Sequence, residues 1–120
     1  MNSPTQKIGQ TTEEIAEHYL MQQGLVPLER NVHFKTGEID LVMLDKDTLV
    51  FVEVRFRKSS NFGSAAETVT RSKQDKLIRT ALLYCQKNKI GTPWRIDVVA
   101  MTHNPKTALE INWIPSAITA

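Results

Sequence analysis

Apolar positions are densest between Gly37 and Lys58, GEIDLVMLDKDTLVFVEVRFRK, where the runs Ile39–Leu44 and Thr48–Val54 flank the polar turn Asp45-Lys46-Asp47. That pattern predicts a β-hairpin whose second strand is too apolar to lie on a sheet edge. Upstream, a helix is predicted from Thr11 or Thr12 to about Gln23, with Thr11 and Glu14 at capping-box spacing and Gly24 ending it. Leu25–Phe34 reads as an extended segment interrupted by charges, an edge strand that joins the hairpin through Lys35-Thr36-Gly37. Downstream, residues 57–64 read as a basic loop containing Ser, Asn and Gly, and residues 65–69 as a short helical turn. A second helix spans Ser72–Asn88, with Leu77, Ile78, Ala81, Leu82 and Cys85 as its apolar stripe and Gly91 and Pro93 as its stop. Trp94–Met101 is apolar enough to be an internal strand, parallel to its predecessor across the helix. After a turn at residues 103–106, Leu109–Ile114 forms a short last strand. The expected fold class is therefore α/β, a small mixed sheet flanked by helices.

Composition narrows the class. With 120 residues, 41% hydrophobic and 23% charged, the chain is long enough for one domain with one core, residues 1–120, of which residues 1–10 look loose. No run reaches the length of a membrane span, and MNSPTQKIGQ lacks the apolar centre of a signal peptide. A single cysteine, Cys85, excludes an internal disulfide. Together these features make a cytoplasmic protein without a membrane partner the expectation. A net charge of +2 is too small to demand a polyanion. Its distribution says more: Arg55, Arg57, Lys58, Arg71, Lys73, Lys76 and Arg79 put seven cations within 25 positions.

The candidate chemistry lies in the hairpin. Glu38, Asp40 and Glu53 are set into apolar strands, where acids are costly unless something cationic pairs with them. Strand alternation places Glu38 and Asp40 on one face, and Glu53, Arg55 and Arg57 on one face of the neighbouring strand. Strands about 4.8 Å apart would let Asp40 and Glu53 touch one ion if their faces coincide. Two carboxylates with a backbone carbonyl and waters suit Mg²⁺ or Mn²⁺, with Glu38 as a further ligand candidate. Such an ion activates water and neutralises charge on a phosphodiester. A cation two residues past Glu53 then holds the phosphate or orients the water. The competing reading is structural, with both acids paired to Arg55, or Asp40 paired to Arg95. Glu13 is either a solvated first-turn helix residue favoured by the helix dipole or a member of the site.

Other positions read as structure first. Asp97 pairs with Arg95 or a helix. Gln74 faces the sheet from the start of the second helix, as an ordinary first-turn residue or a site residue. Lys73, Lys76 and Arg79 form either a solvated helix face or a phosphate track. Tyr19, Trp94 and Trp113 read as core. His18, His33 and His103 show no ligand spacing, and zinc is not expected.

The ordered residues Asp40 and Glu53-Val54-Arg55 resemble the PD-(D/E)xK nuclease signature. More narrowly, the chain resembles the YraN family of small bacterial proteins, usually described as predicted endonucleases. The stretches that carry the likeness are Glu13–Leu20, Glu29-Arg30-Asn31, Gly37–Leu41, Phe51–Arg55, Phe62-Gly63 and Arg95–Val99. The resemblance implies a restriction endonuclease-like α-β-β-β-α-β core. It also implies a metal-dependent DNA endonuclease similar to Holliday-junction resolvases, acting on branched or single-stranded DNA. Carried over, Asp40 and Glu53 are metal ligands, Glu13 the helix-borne acid, and Arg55 the occupant of the motif's lysine position. Arginine stays protonated, so Arg55 can clamp a phosphate but cannot act as a general base, and Lys73 or Lys76 would have to compensate. Arg57, Lys58, Arg71, Lys73, Gln74 and Lys76 are the candidate nucleic-acid contacts. A one-site nuclease that cuts two strands pairs with its own copy, so a homodimer is a further expectation. The reading from a different class is a nucleic-acid-binding module on the same fold that does not cut.

Overall fold

A computed structural model describes residues 11–57, 69–104, 106 and 108–119. The expected loose start at 1–10, the basic loop from Lys58 to Ser64, and the turn at 65–68 lie outside the described residues. The elements run α1 (Thr12–Gln22), β1 (Val26–Phe34), β2 (Gly37–Asp45), β3 (Thr48–Arg57), α2 (Arg71–Lys87), β4 (Trp94–Asn104) and β5 (Ala108–Ile118). One five-stranded sheet carries them in the order β1-β2-β3-β4-β5. All pairings are antiparallel except β3 with β4, whose parallel register aligns Glu53 with Val98 and Arg55 with Ala100. This is a mixed α/β sheet flanked by two helices, compatible with a restriction endonuclease-like core.

Local signals set the ends of α1. Thr11 accepts the Glu14 N–H and the Glu14 carboxylate reaches back to Thr11, completing the capping box. Gly24, with φ of 101°, releases the chain into β1. α1 presents the buried Ala16 and Leu20 to one face of the sheet, against Leu41, Met43, Val50, Val52, Val99 and Met101. α2 covers the other face, where Leu77, Ala81 and Tyr84 pack on Ile39, Val42, Phe51, Ile96 and Val98. The stripe on α2 differs from the expected one. Thr80 and Tyr84 are buried, whereas Leu82 is 51% exposed. Thr80 satisfies its hydroxyl on Lys76 O at 2.8 Å and Thr36 at 2.7 Å, and Tyr84 donates to Glu29 at 2.6 Å, so both bury polar atoms without leaving them unpaired. The last strand is also longer than expected, because β5 continues through Pro115 to Ile118 past a shift of register between Ile96 and Val98.

Strict alternation fails within β2. Ile39 packs on the α2 side and Leu41 on the α1 side, although residues two apart on a regular strand share a face. Their β1 partners are Val32 and Arg30, and the residue between those two, Asn31, takes a left-handed φ of 53°. Asparagine tolerates that region where a branched residue would not. Both strands therefore turn over at Asn31 and Asp40. The turn brings Asp40 to the opening between β2 and β3.

Candidate active site

The β2–β3 ladder ends at the pair Leu41–Val52. Beyond it, Asp40 Oδ2 accepts the Val54 backbone N–H at 2.8 Å, taking the donor that a further rung of the sheet would have used. The strands separate here, and a cleft of about 290 Å³ opens between them and the start of α2. Its lining is Glu13, Glu38, Asp40, Glu53, Val54, Arg55 and Lys73. Every residue expected as catalytic or metal-ligating therefore reaches one cleft, drawn from α1, β2 and β3.

Glu53 lies at its floor. Its side chain is 5% exposed, and Oε2 meets Lys73 Nζ at 3.1 Å and Arg55 Nη1 at 3.5 Å. Alternation on β3 puts Glu53 in line with Leu49 and Phe51, on the α2 side, which is why a lysine from α2 can reach it. The structural pairing of Glu53 with Arg55 is thus present, and Lys73 adds a second cation. Asp40 behaves differently. Burial first, then the charge of Glu53 and a hydrogen bond with it, push the Asp40 carboxyl up to about 7, against the opposing pull of the Val54 N–H. Glu13 adds a weaker push in the same direction. Asp40 is thus a buried acid beside a second carboxylate, a place that favours a proton on Asp40 or a cation next to it.

The remaining candidates divide. Glu38 lines the cleft, but its carboxylate is exposed and sits 3.2 Å from His33 Nδ1. Lys76 lies one turn along α2 and lines an adjoining groove of about 280 Å³ with Gly37, Glu38, Thr70, Ser72, Lys73 and Leu77. Gln74 donates to Val69 O at 3.0 Å, and Arg71 faces Asp75 at 3.8 Å, outside the cleft. Arg57 is half-buried at the end of β3, and Lys58 falls beyond the described residues. Asp97 is fully buried and structural. It accepts from Arg95 Nε at 3.0 Å, Trp113 Nε1 at 2.9 Å and Ser116 N at 2.8 Å, while Arg95 reaches on to Asp45 at 2.9 Å. Arg95 is therefore engaged by Asp45 and Asp97.

Among the described residues, no three acids, histidines or cysteines gather as a metal cage. The donor set is a two-carboxylate pair. That is the chemistry Mg²⁺ accepts, since it retains most of its waters and takes one or two protein carboxylates. Two contributors escaped the sequence reading. Asn31 makes the turn that frees Asp40, and an asparagine in an otherwise strand-like run was its signal. Thr80, which ties α2 to the start of β2, left no signal, because threonine on a helix face reads as surface.

Comparison with known proteins places the chain in a family. Residues 12–101 match the model of the uncharacterised protein family UPF0102. A UPF0102 protein of Saccharophagus degradans is 51% identical over 113 residues, covering 92% of each chain. One from Colwellia psychrerythraea is 44% identical over 119 residues, covering 97% of this chain and 92% of its own. One from Herminiimonas arsenicoxydans is 49% identical over 113 residues, covering 94% and 87%. With the family model matched over residues 12–101 and relatives matched along nearly its whole length, the chain belongs to the UPF0102 (YraN) family.

Proposed function

We propose that this protein is a metal-dependent DNA endonuclease that hydrolyses phosphodiester bonds, with branched or single-stranded DNA as its substrate. The observation that carries the reading is the Asp40–Glu53 pair in a cleft that also holds Arg55 and Lys73, where burial first and the Glu53 charge second push the Asp40 carboxyl up to about 7. Two acids brought together out of water cost stability unless a proton or a cation joins them. The pair is therefore suited to a cation.

Asp40 and Glu53 would hold one Mg²⁺ or Mn²⁺, which when bound supplies an activated water and a counter-charge for the phosphate. Asp40 is fixed for this by its bond to Val54 N, and Glu53 by the parallel pairing of β3 with β4. Arg55 follows Glu53 on the same face of β3 and presents a planar guanidinium to phosphate oxygens. Lys73 brings an ammonium to the Glu53 carboxylate at 3.1 Å, a second cation beside Arg55. Glu13 sets a third carboxylate on the rim, beyond the pair. Catalysis then rests on charge placed in advance around the phosphate, not on proton removal by Arg55.

The test compares wild type with Asp40→Asn and Glu53→Gln on branched, single-stranded and duplex DNA, with and without Mg²⁺ or Mn²⁺. Cation-dependent nicking that disappears in both variants supports the reading. Equal cleavage by folded variants ends it.

A second reading has its own observation. Glu53 already carries Lys73 and Arg55, so the floor of the cleft is balanced without a metal. On this reading the domain grips nucleic acid through Arg57, Lys76 and the neighbouring cations, and does not cut. Binding would then fall steeply with salt and ignore Mg²⁺.

A further inference from the structure

Lys73 stands at a boundary. It and Glu38 are the residues that line both the acidic cleft and the adjoining groove. Its backbone is pinned, since the Lys73 N–H donates to the Thr70 cap at 3.2 Å. Its side chain is not enclosed: 47% is exposed, against 5% for the Glu53 it neutralises. The first turn of α2 contains no acid, so the helix dipole disfavours a cation there, and Glu53 is the contact that offsets this. A lysine is a point charge on a flexible four-carbon stem, suited to changing partners in a way a forked arginine is not. On the far side of Lys73 the groove offers Ser72, Thr70 and Lys76, donors suited to a phosphate group.

We propose that Lys73 is an exchangeable counter-ion, neutralising Glu53 in the metal-free protein and moving to a phosphate group in the adjoining groove when a divalent cation takes the Asp40–Glu53 pair. The inference rests on the metal reading above and adds an order of events to it. Metal-free, Lys73 neutralises Glu53 and lessens its repulsion of Asp40. On loading, the ammonium is released beside Lys76, where the nucleic-acid strand gains a cation it did not have before. Cation and strand then strengthen each other's binding, and by linkage the effect is equal in both directions.

The experiment uses the whole chain as wild type, Lys73→Gln and Lys73→Arg. Calorimetry measures Mn²⁺ affinity, and fluorescence anisotropy measures binding of a labelled single-stranded oligonucleotide in EDTA and in Ca²⁺. Wild type is expected to bind the oligonucleotide about fivefold or more tighter with Ca²⁺, a typical size for coupled sites. Lys73→Gln is expected to bind Mn²⁺ more tightly than wild type and to lose the coupling. Lys73→Arg keeps the charge and grips Glu53 in a fork, so it is expected to bind Mn²⁺ more weakly than wild type, which keeps the test decisive if the glutamine variant does not fold. Mn²⁺ affinities equal across the three proteins would overturn the exchange while leaving the metal site standing. No Mn²⁺ binding by wild type would overturn both.

Discussion

Asp40 completes the sheet with its side chain: Oδ2 lies 2.8 Å from Val54 N, one step past the last regular pair of β2 and β3. The same carboxylate faces Glu53 across the cleft, so one residue both ends the hairpin's ladder and begins the site. Substitutions there separate the two roles. Asparagine keeps an acceptor for Val54 and removes the charge, whereas alanine removes both.

Metal-free Asp40→Asn is therefore expected to be more stable than wild type at pH 8, by on the order of 1–3 kcal/mol, because a buried charge and its repulsion by Glu53 are gone. Asp40→Ala should fall below Asp40→Asn by about 1–2 kcal/mol, the cost of leaving a buried N–H without a partner. Urea denaturation of the three proteins in EDTA measures both differences. An asparagine variant less stable than wild type at that pH would contradict the account of Asp40.

The stability of the metal-free protein should depend on pH with an unusual sign. Folding raises the Asp40 carboxyl from 3.8 to about 7, so the folded state binds that proton more tightly than the unfolded state. The Asp40 contribution is most favourable below about pH 4, falls as pH climbs from about 4 to about 7, and is constant above. Difference melts of wild type against Asp40→Asn isolate it from the other carboxylates. A saturating divalent cation should flatten the difference, since it replaces the proton between the two acids.

Asp97 is expected to matter for folding alone. Replacing it with asparagine leaves Arg95 with one acid instead of two and gives a fully buried position a partner set it cannot match, at a cost of about 3–5 kcal/mol. Trp113 donates to Asp97, so its fluorescence reports the same change. At temperatures where Asp97→Asn remains folded, Mn²⁺ affinity should equal that of wild type. A selective loss of metal binding would move Asp97 into the site.

Thr80→Val tests how α2 positions the rim of the cleft. The valine preserves volume and removes the hydroxyl that meets Thr36 at 2.7 Å, beside Gly37 and Glu38. A loss of about 1–2 kcal/mol is expected, with faster amide exchange at residues 36–38 than in wild type. Unchanged exchange there would mean the hairpin start is held by the core alone.

Much of this protein is legible along the chain because its signals are local. The Thr11–Glu14 cap, the apolar runs 39–44 and 48–54 about a polar turn, and the apolar strand at Trp94 each decide their element through neighbours a few residues away. So the element order and the parallel pairing of β3 with β4 followed from spacing. Asp40 and Glu53 stood out for an equally local reason, that acids in apolar strands need a partner. The partners themselves were decided by tertiary structure. That Glu53 meets Lys73 depends on which face of β3 α2 covers. That Asp40 meets Val54 N depends on a turn of both strands at Asn31, which strict alternation cannot foresee. Burial of Thr80 and exposure of Leu82 followed the seating of α2 on the sheet, where hydrogen bonds to Thr36 and Lys76 O let a polar residue take an inward position. Short-range spacing determined which residues carry charge and which strands they ride on. Long-range packing alone determined which charges meet, because contact energies between segments dozens of residues apart leave no trace in periodicity.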